Sequence, residues 1–144
     1  RNFMGYTTQT SRAMIGLGAS SISDIWGAFG QNNKDIEVYK KTVFEGMIPI
    51  DKGHMLTEID LFVREQILNL MCNFKTNWTV EQLEFIYTDT WGVVLEEMQQ
   101  DGILELNHNG LIVIEKAFVR NICMVFDQYL TKNQKTEKLF SQTI

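Results

Sequence analysis

The stretch MQQDGILELNHNGLIVIEK, residues 98–116, decides the fold. Two short apolar runs, residues 103–106 and 111–114, flank Asn107-His108-Asn109-Gly110, a polar loop closed by glycine, and this is the pattern of a β-hairpin. Asp101-Gly102 just before it reads as a helix stop. Behind that stop, Trp91, Val94, Leu95 and Met98 recur at helical spacing after Thr88. Further back, Thr79 caps a shorter helix that presents Leu83, Ile86 and Tyr87. The longest helix begins at Thr57, with Asp60 in its first turn where negative charge suits the helix dipole. Its stripe of Ile59, Phe62, Val63, Ile67, Leu70, Met71 and Phe74 predicts a core face. Forward of the hairpin, residues 116–130 form a helix with Phe118, Val119, Ile122, Phe126 and Tyr129 on one face, and a short amphipathic piece runs on to Ile144. Three helices, a hairpin and a helix predict a mainly α chain with a small β-hairpin, winged-helix-like in order.

Residues 1–33 read differently. Five of the ten glycines fall here, among Ser and Thr clusters with few charges, so the segment is loop and turn material. AMIGLGA, residues 13–19, reads as a buried strand running into a glycine turn. From residue 35 a helix is predicted with Ile36, Tyr39, Lys40 and Val43 at helical spacing and Gly46 as its stop. Residues 47–50 read as a brief extended piece and Asp51-Lys52-Gly53 as a turn.

The 144 residues suit one domain, or a small domain with a strip of a neighbour, and the balance of 44% hydrophobic to 22% charged residues excludes wholesale disorder. No apolar run reaches the ~18 residues of a membrane span, and residues 1–10 lack a signal-peptide core. Cys72 and Cys123 lie far apart, without metal-type spacing, and read as reduced core thiols of a cytoplasmic protein. The chain opens on Arg1 and runs straight into turn signals, as a piece of something longer would. Net charge is −5, and between Glu81 and Asp101 six carboxylates stand with no Lys or Arg. That stretch covers the helix with which a winged-helix fold reads DNA, so nucleic acid is excluded as a partner.

No catalytic constellation stands out in the residues themselves. His54 and His108 have no ligand-type neighbours and read as surface histidines. Glu96 and Glu97 are adjacent on a helix, point apart, and describe a solvated face. Gly16-Leu17-Gly18 is a fragment of a phosphate loop without the rest of the motif.

Several stretches taken in order, however, resemble a known family. RNFMGYTTQ at residues 1–9, IGLGASSIS at 15–23, GQNNKDIEVY at 30–39, LMCNF at 70–74 and RNICMVFDQYL at 120–130 are similar to the C-terminal third of bacterial oxygen-independent coproporphyrinogen III oxidase, and FSQTI resembles its ending, with Gln142 in place of an arginine. The resemblance implies a radical S-adenosylmethionine enzyme of haem biosynthesis. Such an enzyme converts two propionates of coproporphyrinogen III to vinyl groups, with S-adenosylmethionine and a [4Fe-4S] cluster in the full-length protein. The cluster's C-x3-C-x2-C motif is absent from these residues, so neither cluster nor turnover is expected of this chain alone.

It also implies that residues 1–33 are the tail of the catalytic α/β barrel and residues 34–144 a helical domain that covers the substrate site, with the chain's own N-terminal barrel as partner. Ile22 matches the family position that lies against S-adenosylmethionine and is the one cofactor-binding residue carried over; no catalytic or metal residue is. Met4 stands where the family has glutamine, whose paired donor and acceptor a thioether cannot replace. Gly5-Tyr6-Thr7-Thr8 is a candidate lining of the site, and Arg120 and Asp127, seven apart on one predicted helix, are polar candidates. Two other readings stand beside the enzyme: an acidic winged-helix protein-interaction module, and a non-catalytic haem-binding relative of the oxidase.

Overall fold

The computed structural model describes residues 1, 5–8, 11–88 and 90–127. Met4, Tyr129, the amphipathic piece expected up to Ile144 and the FSQTI ending lie outside the described residues. The chain separates into two compact units, Arg1–Phe62 and Val63–Ile144.

The first unit is built on a three-stranded antiparallel sheet of β1 (Ile22–Asp24), β2 (Ala28–Asn32) and β3 (Ile50–Met55), with β2 in the middle. These strands correct the sequence reading, which saw loop in residues 22–32 and a turn at residues 51–53. Asp51, Lys52 and Gly53 lie within β3, and the pairing of Gly30 with Gly53 and Gln31 with Lys52 draws them into the ladder. All six residues of β3 are exposed, so no alternation of apolar and polar side chains advertised the strand. The AMIGLGA stretch is not a buried strand: Met14 makes a single bridge to Asp24, while Ile15 and Leu17 face outward.

Helix α1 (Ile36–Phe44) forms where the sequence predicts it. Asp35 caps it, its carboxylate accepting hydrogen bonds from the Glu37 and Val38 amides at 2.9 and 3.1 Å. Gly46, at φ +75, turns the chain away, a conformation that carries no Cβ penalty only for glycine. β2 pairs with β3 on either side of α1, across the position where the sequence reading places a domain boundary.

The second unit begins within α2 (Glu58–Asn73) and continues through β4 (Lys75–Asn77), α3 (Val80–Thr88), α4 (Trp91–Gln100), β5 (Leu104–Asn107), β6 (Gly110–Val113), a 3-10 turn (Lys116–Phe118) and α5 (Val119–Val125). Two capping boxes set helix starts. Thr57 accepts from the Asp60 amide while Asp60 accepts back from the Thr57 amide at 2.9 Å, and Thr79 and Gln82 exchange the same pair of bonds. Phe74 ends α2 in a left-handed conformation, φ 58, which turns the chain into β4. A phenylalanine there costs about 1–2 kcal/mol. The cost is offset where the Val113 amide donates to its carbonyl at 2.8 Å and the Lys116 ammonium lies 4.9 Å above its ring.

Strand β4 is an addition to the hairpin expected from the sequence, and it makes β6 the central strand in the order β4-β6-β5. The hairpin closes with Asn107 opposite Gly110. Gly110 is required: a Cβ would run into the carbonyl oxygen of Thr76 on β4 and the Cα of Asn77. Leu104 and Leu111 of this sheet are buried together with Leu70, Ile86, Leu95, Ile122 and Phe126, each exposed by 2% or less. Trp91 meets Phe85 and Phe126 edge to face, with centroids 5.5 and 5.4 Å apart. Among the described residues there are five helices and two small antiparallel sheets, so the β-structure goes beyond the single hairpin read from the sequence. No described helix is long and apolar enough to cross a membrane.

Candidate functional site

Loop 16–23, whose last two residues, Ile22 and Ser23, are the first two of β1, is closely specified. Asn32 at the end of β2 is 5% exposed, and its side-chain amide donates to the carbonyls of both Gly16 and Gly18, at 3.1 and 2.9 Å. The Gly16 amide donates to the Ser23 hydroxyl at 3.0 Å, and the Gly18 amide to the Tyr39 hydroxyl on α1 at 3.1 Å. The Ser21 hydroxyl donates to the Leu17 carbonyl at 2.7 Å. A Cβ on Gly16 would lie 2.6 Å from the Ile22 carbonyl oxygen, so the loop closes on β1 only because residue 16 has none. Gly18 at φ +102 and Ser20 at φ 58 complete the turn.

The loop is therefore held largely by part-buried polar bonds, while Leu17 is 85% exposed. Ile22 is half-buried on β1, opposite Gln31. Beyond it the Asp24 carboxylate, almost fully buried, accepts from the Trp26 amide at 3.0 Å. The Arg12 guanidinium lies 5.8 Å above the Trp26 indole.

The other candidates are scattered. Tyr6 is exposed, with the Arg1 guanidinium 6.0 Å from its ring centroid. His54 stands in β3 rather than in a turn, its Nε2 3.9 Å from an Asp60 oxygen, and His108 occupies the exposed hairpin turn. Arg120 and Asp127 do not share one helix, because α5 ends at Val125. Cys72 is exposed on α2 and Cys123 buried on α5. Among the described residues no group of three or more His, Cys, Asp or Glu side chains is placed to hold a metal ion. One perturbed acid stands out: the Thr79 hydroxyl and the backbone amide of Glu81 hold the exposed Glu81 carboxyl below its ordinary range.

Asn32 and Gln66 are the organising polar residues that sequence reasoning missed. Gln66 sits inside the stripe of α2 and is 1% exposed. Its Oε1 accepts from the Thr76 hydroxyl at 2.6 Å and the Trp78 indole N–H at 2.9 Å, which ties β4 to α2. A polar residue in the middle of an apolar stripe was the available signal.

No family model matches the chain. Curated proteins do match. Over the whole chain it is 33% identical to the oxygen-independent coproporphyrinogen III oxidase of Escherichia coli strain K12 and 33% identical to that of Synechocystis, covering 33% of each. It is 36% identical to the oxidase of Thermostichus vulcanus, again over the whole chain and over 46% of that protein. Among solved structures it resembles Escherichia coli coproporphyrinogen III oxidase, described as a radical SAM enzyme, with a TM-score of 0.73 and 32% identity over 90% of this chain and 31% of that one. The chain is thus similar to these oxidases along its whole length, as its sequence stretches led one to expect, and it spans about a third of the length of the first two.

Proposed function

We propose that this relative of the oxygen-independent coproporphyrinogen III oxidases is the C-terminal part of such an enzyme, in which coproporphyrinogen III loses the carboxyl groups of two propionates to give the two vinyl groups of protoporphyrinogen IX. The observation that carries the reading is the full-length match: sequence identity of 32–36% and a shared fold extend over nearly every residue rather than over one motif. S-adenosylmethionine, once cleaved at a [4Fe-4S] cluster, supplies the hydrogen-abstracting radical in this chemistry. The C-x3-C-x2-C motif expected to hold that cluster does not occur in residues 1–144.

In this reading residues 1–33 are the tail of the catalytic domain and residues 34–144 the C-terminal domain. Ile22 packs an apolar face against S-adenosylmethionine, and the bonds from Asn32 to loop 16–23 hold that side chain's strand in place. That C-terminal domain, residues 34–144, acts as a winged-helix-like cover. The order α2-β4-α3-α4-β5-β6, with β6 between β4 and β5, supports that description. The carboxylates of α3 and α4 argue for a protein neighbour and against nucleic acid.

The test is an anaerobic assay of the full-length protein for conversion of coproporphyrinogen III with S-adenosylmethionine. Conversion is expected. A protein that holds its cluster and yields no product would favour the haem-binding relative, and absence of a C-x3-C-x2-C motif from the rest of the gene would favour the acidic interaction module. Within an active enzyme, Ile22→Ala should raise the KM for S-adenosylmethionine several-fold and leave that for coproporphyrinogen III nearly unchanged; an unchanged cofactor KM removes Ile22 from the site.

A further inference from the structure

We propose that the Asn109-Gly110 step at the tip of the β5-β6 hairpin is a site of self-modification: Asn109 deamidates through a succinimide, and the isoaspartyl product unlatches β6 from β4. Asn109 is the one asparagine in the sequence that is followed by glycine. The nucleophile of this reaction is the amide nitrogen of the following residue. Glycine puts no side chain over that nitrogen and leaves the backbone free to bend toward the asparagine. Asn109 is exposed in the turn, and Gly110 is the first residue of β6, opposite Asn107 at the mouth of the hairpin. Fraying of that closing pair brings the two groups together. Other asparagine side chains are tied down: Asn32 to the Gly16 and Gly18 carbonyls, Asn33 to the Asp35 amide, Asn69 to the Thr76 hydroxyl and Asn107 to the Asn109 amide. Among the described residues the Asn109 side chain has no such tie.

Water is the only co-reactant the step needs. The Gly110 amide nitrogen gives its proton to solvent and attacks Cγ of Asn109. The Cγ–Nδ2 bond breaks, and the side-chain nitrogen takes up a proton and leaves as ammonia. Water then opens the succinimide ring. Addition at Cγ gives aspartate. Addition at the α-carbonyl carbon gives isoaspartate, in which the chain runs through Cβ and Cγ and the former main-chain carbonyl becomes a free carboxylate. In the intact chain that carbonyl accepts from the Trp78 amide at 2.6 Å, which continues the pairing of β4 with β6. Trp78 is buried, with its indole N–H bonded to Gln66, so an amide released there loses its acceptor away from water. Gly110 offers no slack, because it lies so close to the Thr76 carbonyl oxygen that even a Cβ finds no room. An extra methylene in the chain just ahead of Gly110 therefore displaces β6 from β4.

The experiment ages the full-length protein in neutral and in mildly alkaline buffer and follows each asparagine by peptide mass spectrometry, with an isoaspartate-specific carboxyl methyltransferase as a second probe. Conversion of Asn109 is expected several-fold ahead of every other asparagine and faster in the alkaline buffer, because the attacking nitrogen must lose its proton. Asn109→Gln, whose longer side chain closes its ring far more slowly, should abolish the signal. Earlier conversion of another asparagine, or an intact Asn109 under conditions that convert a free peptide of residues 104–112, overturns the proposal. The consequence is read by amide exchange in the separated isoaspartyl fraction. Exchange in residues 75–78 and 110–113 should be several-fold faster than in the parent and unchanged in β1 to β3. Asn109→Asp, which is the aspartyl product and keeps the original chain path, should exchange as the parent does. An isoaspartyl fraction indistinguishable from the parent, or Asn109→Asp loosened to the same extent, overturns the unlatching.

Discussion

The two units solve the problem of staying folded in opposite ways. Residues 63–127 enclose an apolar interior in which Leu70, Leu95, Leu111 and Phe126 are nearly inaccessible to water. The Arg1–Phe62 unit has almost none: among its described residues Ala28 is the single apolar side chain that is buried, while Leu17, Phe44, Ile48 and Met55 lie more than three-quarters exposed. What its sheet and loop bury instead is polar, the Asn32 amide and the Asp24 carboxylate, each spent on backbone groups. A core of hydrocarbon gives stability without saying much about neighbours. A polar scaffold that holds apolar side chains outward specifies a shape without a hydrocarbon core.

The contrast is sharpest in paired truncations. Phe126→Ala removes a fully buried ring that touches Trp91, and a cost of about 3–5 kcal/mol is expected from lost burial and the cavity left behind. Phe44→Ala in this chain should change stability by no more than about 0.5 kcal/mol, because the ring it removes is already in water. Urea denaturation followed by tryptophan fluorescence reads both. Equal effects would mean that the first unit has an apolar core after all.

Next in size is the polar tie inside the apolar unit. Gln66→Ala strands the Thr76 hydroxyl and the Trp78 indole N–H in a buried place, and a loss of about 2–4 kcal/mol follows from two unsatisfied donors. Gln66→Leu keeps the volume but not the acceptor and should cost nearly as much. If it restores full stability, the hydrogen bonds contribute nothing and only packing matters at this position.

How much of this could be read beforehand follows the same divide. α2, α3, α4 and the hairpin were legible because Leu70, Ile86, Leu95 and Leu111 repeat with the period of their elements and the caps Thr57 and Thr79 stand at helix starts. β4 was hidden because it is three residues long and buries only Thr76, a polar side chain. β1, β2 and β3 were hidden for a related reason. Their order comes from pairing and from Asn32, and neither leaves a hydrophobic period behind. For the candidate site, Ile22 and the glycines of loop 16–23 were picked out by resemblance, but nothing in their spacing announced that Asn32, ten residues on, is what holds the loop.

That last point yields a smaller effect confined to the first unit. Asn32→Ala frees the Gly16 and Gly18 carbonyls from their shared donor, and about 1–2 kcal/mol of local stability should go with it. Amide exchange of residues 16–23 should speed up roughly 5- to 30-fold, as that loss implies, while exchange in α2 and β6 stays as it was. Faster exchange throughout both units would mean that they unfold together, and the contrast drawn above would fail.

The smallest effect is at the surface of the second unit. Glu81 titrates below its ordinary range because the Thr79 hydroxyl and its own backbone amide favour the carboxylate. A folded-state value below the unfolded one places the contribution above the unfolded pKa, so it is complete at neutral pH and lost as pH falls through the folded value. Glu81→Gln should therefore lower stability slightly at pH 7 and leave no difference between variant and parent once both carboxyl forms are protonated in strong acid. Since Glu81 is fully exposed and the Thr79–Gln82 capping bonds survive the change, the shift should be the least of those described here. Melting curves of the two proteins from pH 7 down to pH 3 test it, and a difference that widens toward acid would show that the carboxylate destabilises the start of α3 instead.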